Sequence, residues 1–598
     1  MTQPYAAPLN DMQFILSELA DFDNISRLPG CGDATPDMAF AILEQAGRFA
    51  AEVLAPLNRS GDLQGCALEG GCVKTPDGWD RAYRLFIESG WGAVAVPSGY
   101  GGQALPKLIA APLLEMWSAA NMAFSLLPLV TASAIEALLA SASDDIKRSY
   151  LPKMASGSWS GAMDLTEPQA GSDLSQLKAS AVAQTDGSYR IFGQKIFISY
   201  GEHELSENIV HLVLARLPQA PPGTRGISLF IVPKYLPNAD GSPGRRNDVH
   251  CVSLEHKMGL RGSPTCVMQY GENGGAVGHL VGVPNRGLEH MFVMMNEARF
   301  GTGMQAIGVA ERAYQQALGF ARERKQGRDA ITGENMVPII RHPDIRRTLL
   351  VMKAKIMASR VLAYSVAGLF DQARHEPDPA RRAACKGLLD LLTPVVKAWA
   401  THVGNEVAFD AVQVHGGMGF VEETGAAQFM RDIRIGTIYE GTTAIQANDL
   451  VLRKIVRERG ASVEQLIARI ERDAADLLAS PQLVVLHTQL LRGVASLKVS
   501  VAWILNNEAG RPADVLAVAV PFLFLMSYVC GGWQIGRAAC AAQRRLDSGG
   551  GDLERGYYLG VRTLAEVFLM HVGVQVQALA ETVLAGGKAV TEFADEQF

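Results

Sequence analysis

The stretch "YRIFGQKIFISY", residues 189 to 200, decides the fold class: it is short, dense in aromatic and β-branched residues, and followed by a glycine. That is the composition of a strand. Three further runs share it: "NIVHLVLARL" (208–217), "GISLFIVPKY" (226–235) and "CVSLEHKMGL" (251–260). Turn-forming pieces such as "QAPPGTRG" and "PNADGSPGRRND" separate them, so a compact β unit is predicted from residue 157 to Arg286.

Helical texture flanks this unit on both sides. Upstream, "DATPDMAFAILEQAGRFAAEVLAP" (33–56) repeats apolar residues at intervals of three and four, with Asp33 or Thr35 as N-cap and Pro36 in the first turn. Downstream, the run from Gly287 to Gly327 and the long segments to Arg459 keep the same period, and a last block opens with "SVEQLIARIERDAADLLA" (462–479). The predicted chain is α+β and mainly α. It has an N-terminal helical domain (1–156), a central β domain (157–286), a C-terminal helical domain (287–460) and an additional helical domain (461–598). There is no repeat of fixed period and no long low-complexity linker.

The 598 residues suit about four packed units. With 48% hydrophobic and 19% charged residues, they have ample material for large cores. The net charge is -6 and no dense block of Lys and Arg is present, which excludes nucleic acid as an expected partner. Eight scattered cysteines without a CxxC pair suit free thiols in a reducing compartment, hence the cytoplasm. The opening "MTQPYAAPLNDMQF" lacks a basic region followed by an apolar core, so no secretory signal is expected. One segment, "VLAVAVPFLFLMSYVCGGW" (515–533), is uncharged and of bilayer length. Pro521 and Gly531-Gly532 favour a buried helix at a subunit or domain contact instead.

Several motifs carry chemistry. "MDLTEPQAGSDLSQL" (163–177) falls where helical texture gives way to strands. Thr166, Ser172 and the amides near Gly171 can present donors to a flat heteroaromatic ring or a phosphate; alone, it is a polar loop. "KIFISYG" (195–201) sets Phe197 and the hydroxyl of Ser199 at a strand end. "QVHGGMGF" (413–420) frees backbone amides at Gly416, Gly417 and Gly419 and adds Gln413, in the manner of a phosphate cradle or of a glycine-capped helix end. His415 has no second ligand at metal spacing, and no metal is expected. "ARERKQGR" (321–328) gathers cations that suit a pyrophosphate, or that simply complement a helix C-terminus. "GTGMQA" (301–306) imitates a dinucleotide fingerprint but follows a helical run, so it is rejected.

Taken in order, these pieces resemble the acyl-CoA dehydrogenase family, in its long bacterial branch with an additional C-terminal domain. The likeness rests on "PSGYGGQALP" (97–106), "TEPQAGSD", "KIFISYG", "EHKMGLRGSPT" (255–265), "NEAR" (296–299), "RERKQG", "QVHGGMGF" and "IYEGTTAIQ" (438–446), and it thins after Val456. It implies an N-terminal helical domain, a central β-barrel-like domain and a C-terminal four-helix bundle, with FAD at their junction completed by a neighbouring subunit. By position, Met163, Leu165, Thr166, Gly171 and Ser172 match the flavin loop, and Ser172 also the CoA arm. Phe197 and Ser199 match the flavin-stacking aromatic and the hydroxyl near N5. Arg324 with Gln326, and Gln413 with Gly416 and Gly417, match pyrophosphate and adenosine contacts across a dimer; Thr442 matches a further FAD contact. Asn296, Arg299 and Gly441 match the substrate side. Two positions depart from the pattern: Lys325-Gln326-Gly327-Arg328 lacks the frequent phenylalanine, and Ala444 stands where some members carry glutamine.

Glu440 has two readings: a carboxylate serving helix amides near Thr442 and Thr443, or a base. The resemblance makes it the catalytic base, which takes a proton from C2 of an acyl thioester while a hydride leaves C3 for flavin N5. Burial against Tyr439 and the acyl chain would raise its pKa toward a useful range. A backbone N–H, Glu440's own, with a ribityl hydroxyl of FAD would polarise the thioester carbonyl. Some members carry the base immediately before the arginine of the "NEAR" helix; Ala298 holds that place here, and Glu297 is expected to face away.

The resemblance implies a fatty acyl-CoA dehydrogenase of β-oxidation, with electron-transfer flavoprotein as acceptor. Two alternatives stand: a 3-(methylthio)propanoyl-CoA dehydrogenase, and a flavin-bearing relative that binds DNA or protein with little activity. The pocket floor is expected near "NMAFSLLPL" (121–129). The last block is expected to cover the face where a second dimer docks in tetrameric relatives, giving a homodimer. The apolar segment from Phe522 to Tyr528 either packs that block or touches a membrane surface.

Overall fold

The computed structural model describes residues 4–31, 34–550 and 553–598. The chain divides into two compact units. A mixed unit takes Arg48–Leu105 and Ala120–Gly301, and a helical unit takes Met1–Gly47, Pro106–Ala119 and Thr302–Phe598.

In the mixed unit a hairpin of β1 (Ala67–Glu69) and β2 (Cys72–Lys74) precedes the predicted β region. The opening block is therefore not wholly helical. The cause is local: Gly70 and Gly71 sit at φ 59° and 81°, the two left-handed positions of a tight hairpin turn. The remaining strands are β3 (Trp159–Asp164), β4 (Ser180–Ala183), β5 (Tyr189–Ser199), β6 (Asn208–Arg216), β7 (Ile227–Pro233), β8 (Tyr235–Pro237), β9 (Pro243–Arg246), β10 (Val249–Leu254), β11 (Thr265–Tyr270) and β12 (Ala276–Val281).

The stretch that opened the sequence reading is the hub of this sheet. The first half of β5 pairs with β12 and β4, and its second half with β11. Following the pairs from β5 through β12, β7, β6 and β4 returns to β5, the link from β6 to β4 being one parallel bridge between Arg216 and Ser180. That closed circuit is the barrel-like part. β3 adds parallel to β6, and β10 to β11. β6 and β7 are buried along almost their whole length, which explains their unbroken apolar sequence.

The helical unit is organised by buried charge. Arg360, with no exposed surface, donates from Nε to Glu115 (2.8 Å), from Nη1 to Asp11 (2.9 Å) and from Nη2 to Glu311 (2.8 Å). Lys353 adds a second cation, 2.7 Å from Asp11 and 3.3 Å from Glu311. Tyr364 donates to Glu115 (2.9 Å), and Tyr557, from the last block, donates to Asp11 (3.0 Å).

The apolar segment 515–533 divides between helices Pro512–Ala517 and Ala519–Asp547, with Pro521 in the first turn of the second, where its missing N–H costs nothing. Its glycine pair serves close packing: a Cβ on Gly531 would stand 2.3 Å from the Trp399 ring, and one on Gly532 2.9 Å from Leu569. Among the described residues, three helices are long and apolar enough to cross a membrane by length and composition alone: Lys107–Ser141, Ala519–Asp547 and Arg555–Ala585. The apolar windows of the first two are 78% and 83% buried in the fold, that of the third 33%. Upstream, Thr35 caps Pro36–Phe49 by accepting the Met38 N–H at 3.2 Å, while Asp33, the other expected cap, lies outside the described residues.

Asp371 closes the start of helix Lys107–Ser141, accepting the N–H groups of Lys107 (2.7 Å) and Leu108 (3.0 Å). Burial pushes its carboxyl up to about 6, against the pull of those amides. The native state thus holds this proton more tightly than the unfolded chain, so its contribution to stability is lost as pH rises from about 4 through about 6. Melting curves of wild type and Asp371→Asn between pH 4.5 and 7 should show the wild type losing ground relative to the variant as pH rises, by on the order of 2–3 kcal/mol at most. Parallel pH profiles would remove the assignment.

Candidate active site

In the mixed unit, the loop after β3 and the end of β5 are built as one piece. The Thr166 carbonyl accepts the Ile196 N–H at 2.9 Å, and Glu167 and Ala170 exchange backbone bonds of 3.0 and 2.9 Å that close the turn between them. Lys195, fully buried, donates to the Leu165 carbonyl (3.1 Å) and to Glu167 Oε1 (2.8 Å). The Glu167 carboxylate also accepts the N–H groups of Lys178 (2.7 Å) and Ala179 (3.0 Å) and the Gln169 amide (2.6 Å). Burial alone would raise Glu167, but Lys195 and the two amides carry it below the usual carboxylate range; burial likewise pushes the Lys195 ammonium down against the attraction of Glu167. A loop that reads as merely polar is thus clamped from below.

Phe197 owes its position to a bulge. On β11, Cys266 faces Ile198 and Met268 faces Lys195, so Ile196 and Phe197 together oppose the single residue Val267. Phe197 takes φ 60°, in the left-handed region, and the residue is 59% exposed. Strict alternation would put Lys195, Phe197 and Ser199 on one face. The bulge instead buries Lys195 and turns the aromatic outward. Of the other loop positions, Leu165 is buried, Met163, Thr166 and Ser199 are half-buried, and Gly171 and Ser172 are exposed.

The "IYEGTTAIQ" turn belongs to the helical unit. Glu440 is half-buried with φ 55°, a left-handed conformation unusual for a glutamate, and Gly441 follows at φ 92°. Fully buried Gln446 donates from Nε2 to the carbonyls of Glu440 (2.9 Å) and Gly441 (3.3 Å); Lys397, also fully buried, donates to Gly441 (2.6 Å). A Cβ on Gly441 would stand 2.7 Å from Gln446 Nε2, so the glycine is required by both φ and space. Thr442 is the N-cap of helix Thr443–Asn448, its hydroxyl facing the Ile445 N–H at 3.4 Å. The cap of this helix is thus supplied by Thr442. Tyr439 donates to Gln305 Oε1 at 2.7 Å, and burial, then the Glu440 charge, push its phenol well above the ordinary value.

The remaining expected residues fall in three groups. Arg324 and Gln326 stand beyond the end of helix Gly287–Glu323, both exposed, with Arg324 Nη2 3.3 Å from Gln326 Oε1. Gln413, Gly416 and Gly417 lie at the end of helix Pro379–His415, which Gly416 caps; all three are exposed, and no atom lies within 4 Å of a Cβ built on either glycine. Phe320 stacks on His415 (4.5 Å between centroids), bringing both groups to the same end of the helical unit. His415 Nδ1 donates to the Ala411 carbonyl at 2.6 Å, a packing role. The third group, in the mixed unit, pairs half-buried Asn296 with buried Arg299, Nη1 to Oδ1 3.4 Å, and the neighbouring Glu297 is buried.

The segment expected to floor a pocket begins with a kink. Asn121 leaves helical geometry inside Lys107–Ser141 (φ -158°, ψ 92°), and its Oδ1 caps the following turn at the Phe124 N–H, 3.0 Å away. Phe124 packs edge-on against Trp79 and Phe86 in the mixed unit. The "GTGMQA" run lies inside helix Gly287–Glu323, with no strand before it.

Sequence reading missed Lys195, Glu167, Lys397 and Gln446 as supports. A signal existed for Lys195, a cation directly followed by the apolar run Ile196–Ile198 of a strand; Gln446 gave none, because its partners are backbone carbonyls.

Comparison with known proteins gives this architecture a class. Four family descriptions match in order: the acyl-CoA dehydrogenase N-terminal domain over 37–158, the middle domain over 162–272, the C-terminal domain over 285–455, and the acetyl-CoA dehydrogenase C-terminal-like domain over 462–594. A 3-methylmercaptopropionyl-CoA dehydrogenase of Ruegeria pomeroyi is 45% identical, covering 96% of this chain and 97% of that protein. A butyryl-CoA dehydrogenase of Syntrophomonas wolfei is 33% identical, covering 99% of each. The solved acyl-CoA dehydrogenase of Bacillus anthracis complexed with FAD shares the fold at TM-score 0.74 and 21% identity, over 98% of this chain and 93% of that one. The chain belongs to the acyl-CoA dehydrogenase family and carries its additional C-terminal domain. It is a flavin-dependent oxidoreductase.

Replacing Gln446 by Leu should take from the Glu440 carbonyl its Nε2 donor and leave the Gly441 carbonyl to Lys397, at about 1–3 kcal/mol of local stability. Hydrogen–deuterium exchange should then accelerate across residues 438–448 and change little in the mixed unit. Unchanged protection there would mean that Gln446 does not hold the turn.

Proposed function

We propose that this protein dehydrogenates a short acyl-CoA thioester across C2 and C3, giving the trans-2-enoyl-CoA, with Glu440 as the base. One observation carries the reading: a half-buried glutamate kept in left-handed backbone by Gln446 and Lys397, at a turn whose helix cap is already supplied by Thr442. Strain of that kind persists where the surroundings impose it and collects at functional positions. Glu440 takes the C2 proton, its own N–H is assigned to the thioester carbonyl, and Asn296, Arg299 and Ser172 are assigned to the rest of the substrate.

FAD is the cofactor we assign, and the residues present fit it. An exposed aromatic ring at a bulge, a hydroxyl two residues on, and a clamped loop rich in donors suit a flat heteroaromatic system. Gly171, Gly416 and Gly417, where nothing would meet a Cβ, allow close backbone approach to a pyrophosphate. When bound, FAD supplies the acceptor for the hydride that leaves C3. Phe420 and Ile331, 88% and 93% exposed, lie near the Gln413 and Arg324 groups in sequence, and apolar exposure there supports a homodimer whose second copy covers them.

For the acyl group we favour 3-(methylthio)propanoyl, on the 45% identity to a dehydrogenase named for that thioester. Its chain has the length of pentanoyl, with sulfur in place of one methylene. A straight fatty acyl group is the second reading, supported by the butyryl-CoA dehydrogenase likeness.

Glu440→Gln should reduce dehydrogenation below detection while the purified protein stays yellow; near-normal turnover would refute the base. In steady-state assays of the wild type, kcat/KM for 3-(methylthio)propanoyl-CoA and pentanoyl-CoA should exceed that for palmitoyl-CoA by roughly tenfold or more, the discrimination that pocket fit can supply. A preference for palmitoyl-CoA would exclude a short acyl pocket.

A further inference from the structure

We propose that Lys195 and Glu167 are positioning residues that lock the flavin-facing loop to the flavin-facing strand; this rests on the flavin reading above. Lys195 sits on β5, two residues before Phe197 and four before Ser199, yet its Nζ reaches back to the loop, at 3.1 Å from the Leu165 carbonyl and 2.8 Å from Glu167. The next residue on the strand, Ile196, holds the Thr166 carbonyl at 2.9 Å. Both elements assigned to the ring system therefore share one buried clamp, and neither can shift without breaking it.

Beyond the clamp the same region is anchored again. Asp164, fully buried and directly after Met163, accepts the Tyr270 hydroxyl at 2.6 Å and faces His211 Nδ1 at 3.2 Å. Its charge also acts on Lys195. A buried ammonium thus stands against the Glu167 carboxylate, where bulk water cannot screen it. Its charge and its reach set two properties of the ligand above: how the loop donors are aimed, and the potential they experience. Both follow from the chain's own groups.

The test uses purified holoenzyme of the wild type, Glu167→Gln and the double variant Lys195→Met/Glu167→Gln, which removes the two charges together and strands neither. In the double variant FAD should leave roughly tenfold more readily on repeated ultrafiltration, the weight of one charge-assisted hydrogen bond. The midpoint potential and the visible absorption maxima of the retained flavin should also move from wild-type values. Glu167→Gln, which keeps the bond from Lys195 to Leu165 but leaves the ammonium without its partner charge, should move them as well, the potential upward; if the double variant does not fold, this variant decides. A role confined to stability would lower the melting temperature and leave potential and spectrum alone, and that result in both variants overturns the proposal. Wild-type protein that neither carries nor takes up FAD would overturn the flavin reading itself, a distinct outcome.

Discussion

A guanidinium without exposed surface, shared by three carboxylates, is the constraint on which the helical unit depends. Arg360 ties together the helices that carry Asp11, Glu115 and Glu311, and Tyr557 brings the last block into the same network. Two cations face three carboxylates here, and the groups respond differently. Burial raises the Glu115 carboxyl in spite of Arg360, while Lys353 and Arg360 overcome burial at Glu311 and hold it at about 2. Losing one partner of such a cluster is far costlier than never having built it, because a buried charge is left behind. The stretch that carries Glu311 also carries Gln305, which receives the Tyr439 hydroxyl beside Glu440. The turn with the proposed base is thereby fastened to the helix that enters the charge network.

How much of this could be read from the sequence depended on whether the determining contacts were local. Helical periods, the Thr35 cap, the strand texture of 189–200 and the misplaced "GTGMQA" fingerprint are properties of a few neighbouring residues, and the structure realises each of them. The β1–β2 hairpin was legible in its Gly70-Gly71 pair but hidden inside a helical stretch. Phe197 was singled out as an aromatic at a strand end, whereas the bulge that exposes it arises from the register between β5 and β11, far apart in sequence. Periodicity cannot report such a register, since one extra residue reverses every face that follows.

The fate of the polar loops makes the same distinction. "TEPQAGSD" reads as residues whose side chains face a ligand, yet Glu167, its one carboxylate before Asp173, is turned inward and committed to Lys195 and two backbone amides. Thr442, matched to a cofactor contact, also serves as the cap of a short helix. A motif therefore mixes groups that face a ligand with groups that hold the loop in shape, and spacing alone does not separate them. Burial does: Glu167 is 3% exposed, while Gly171 and Ser172 are open to solvent.

The two units meet the same mechanical demand by similar means. Each presents an L-residue in left-handed backbone, Phe197 at a bulge and Glu440 at a turn. Each also contains a fully buried lysine whose ammonium donates to a backbone carbonyl, Lys195 to Leu165 and Lys397 to Gly441, and Lys195 is paired with Glu167 as well. A left-handed side chain departs from the direction its neighbours follow, which is useful for aiming a ring or a carboxylate, but the conformation relaxes unless something outside the local chain opposes it. A backbone carbonyl held by a charged donor in a dry interior supplies that opposition, because the bond is strong there and no water competes for it. Burying a lysine is expensive unless its charge is met, as Glu167 meets that of Lys195. At Gly441 the held carbonyl lies one residue from Glu440 and fixes the direction of the proposed base; at Leu165 it fixes the loop against the strand that carries Phe197.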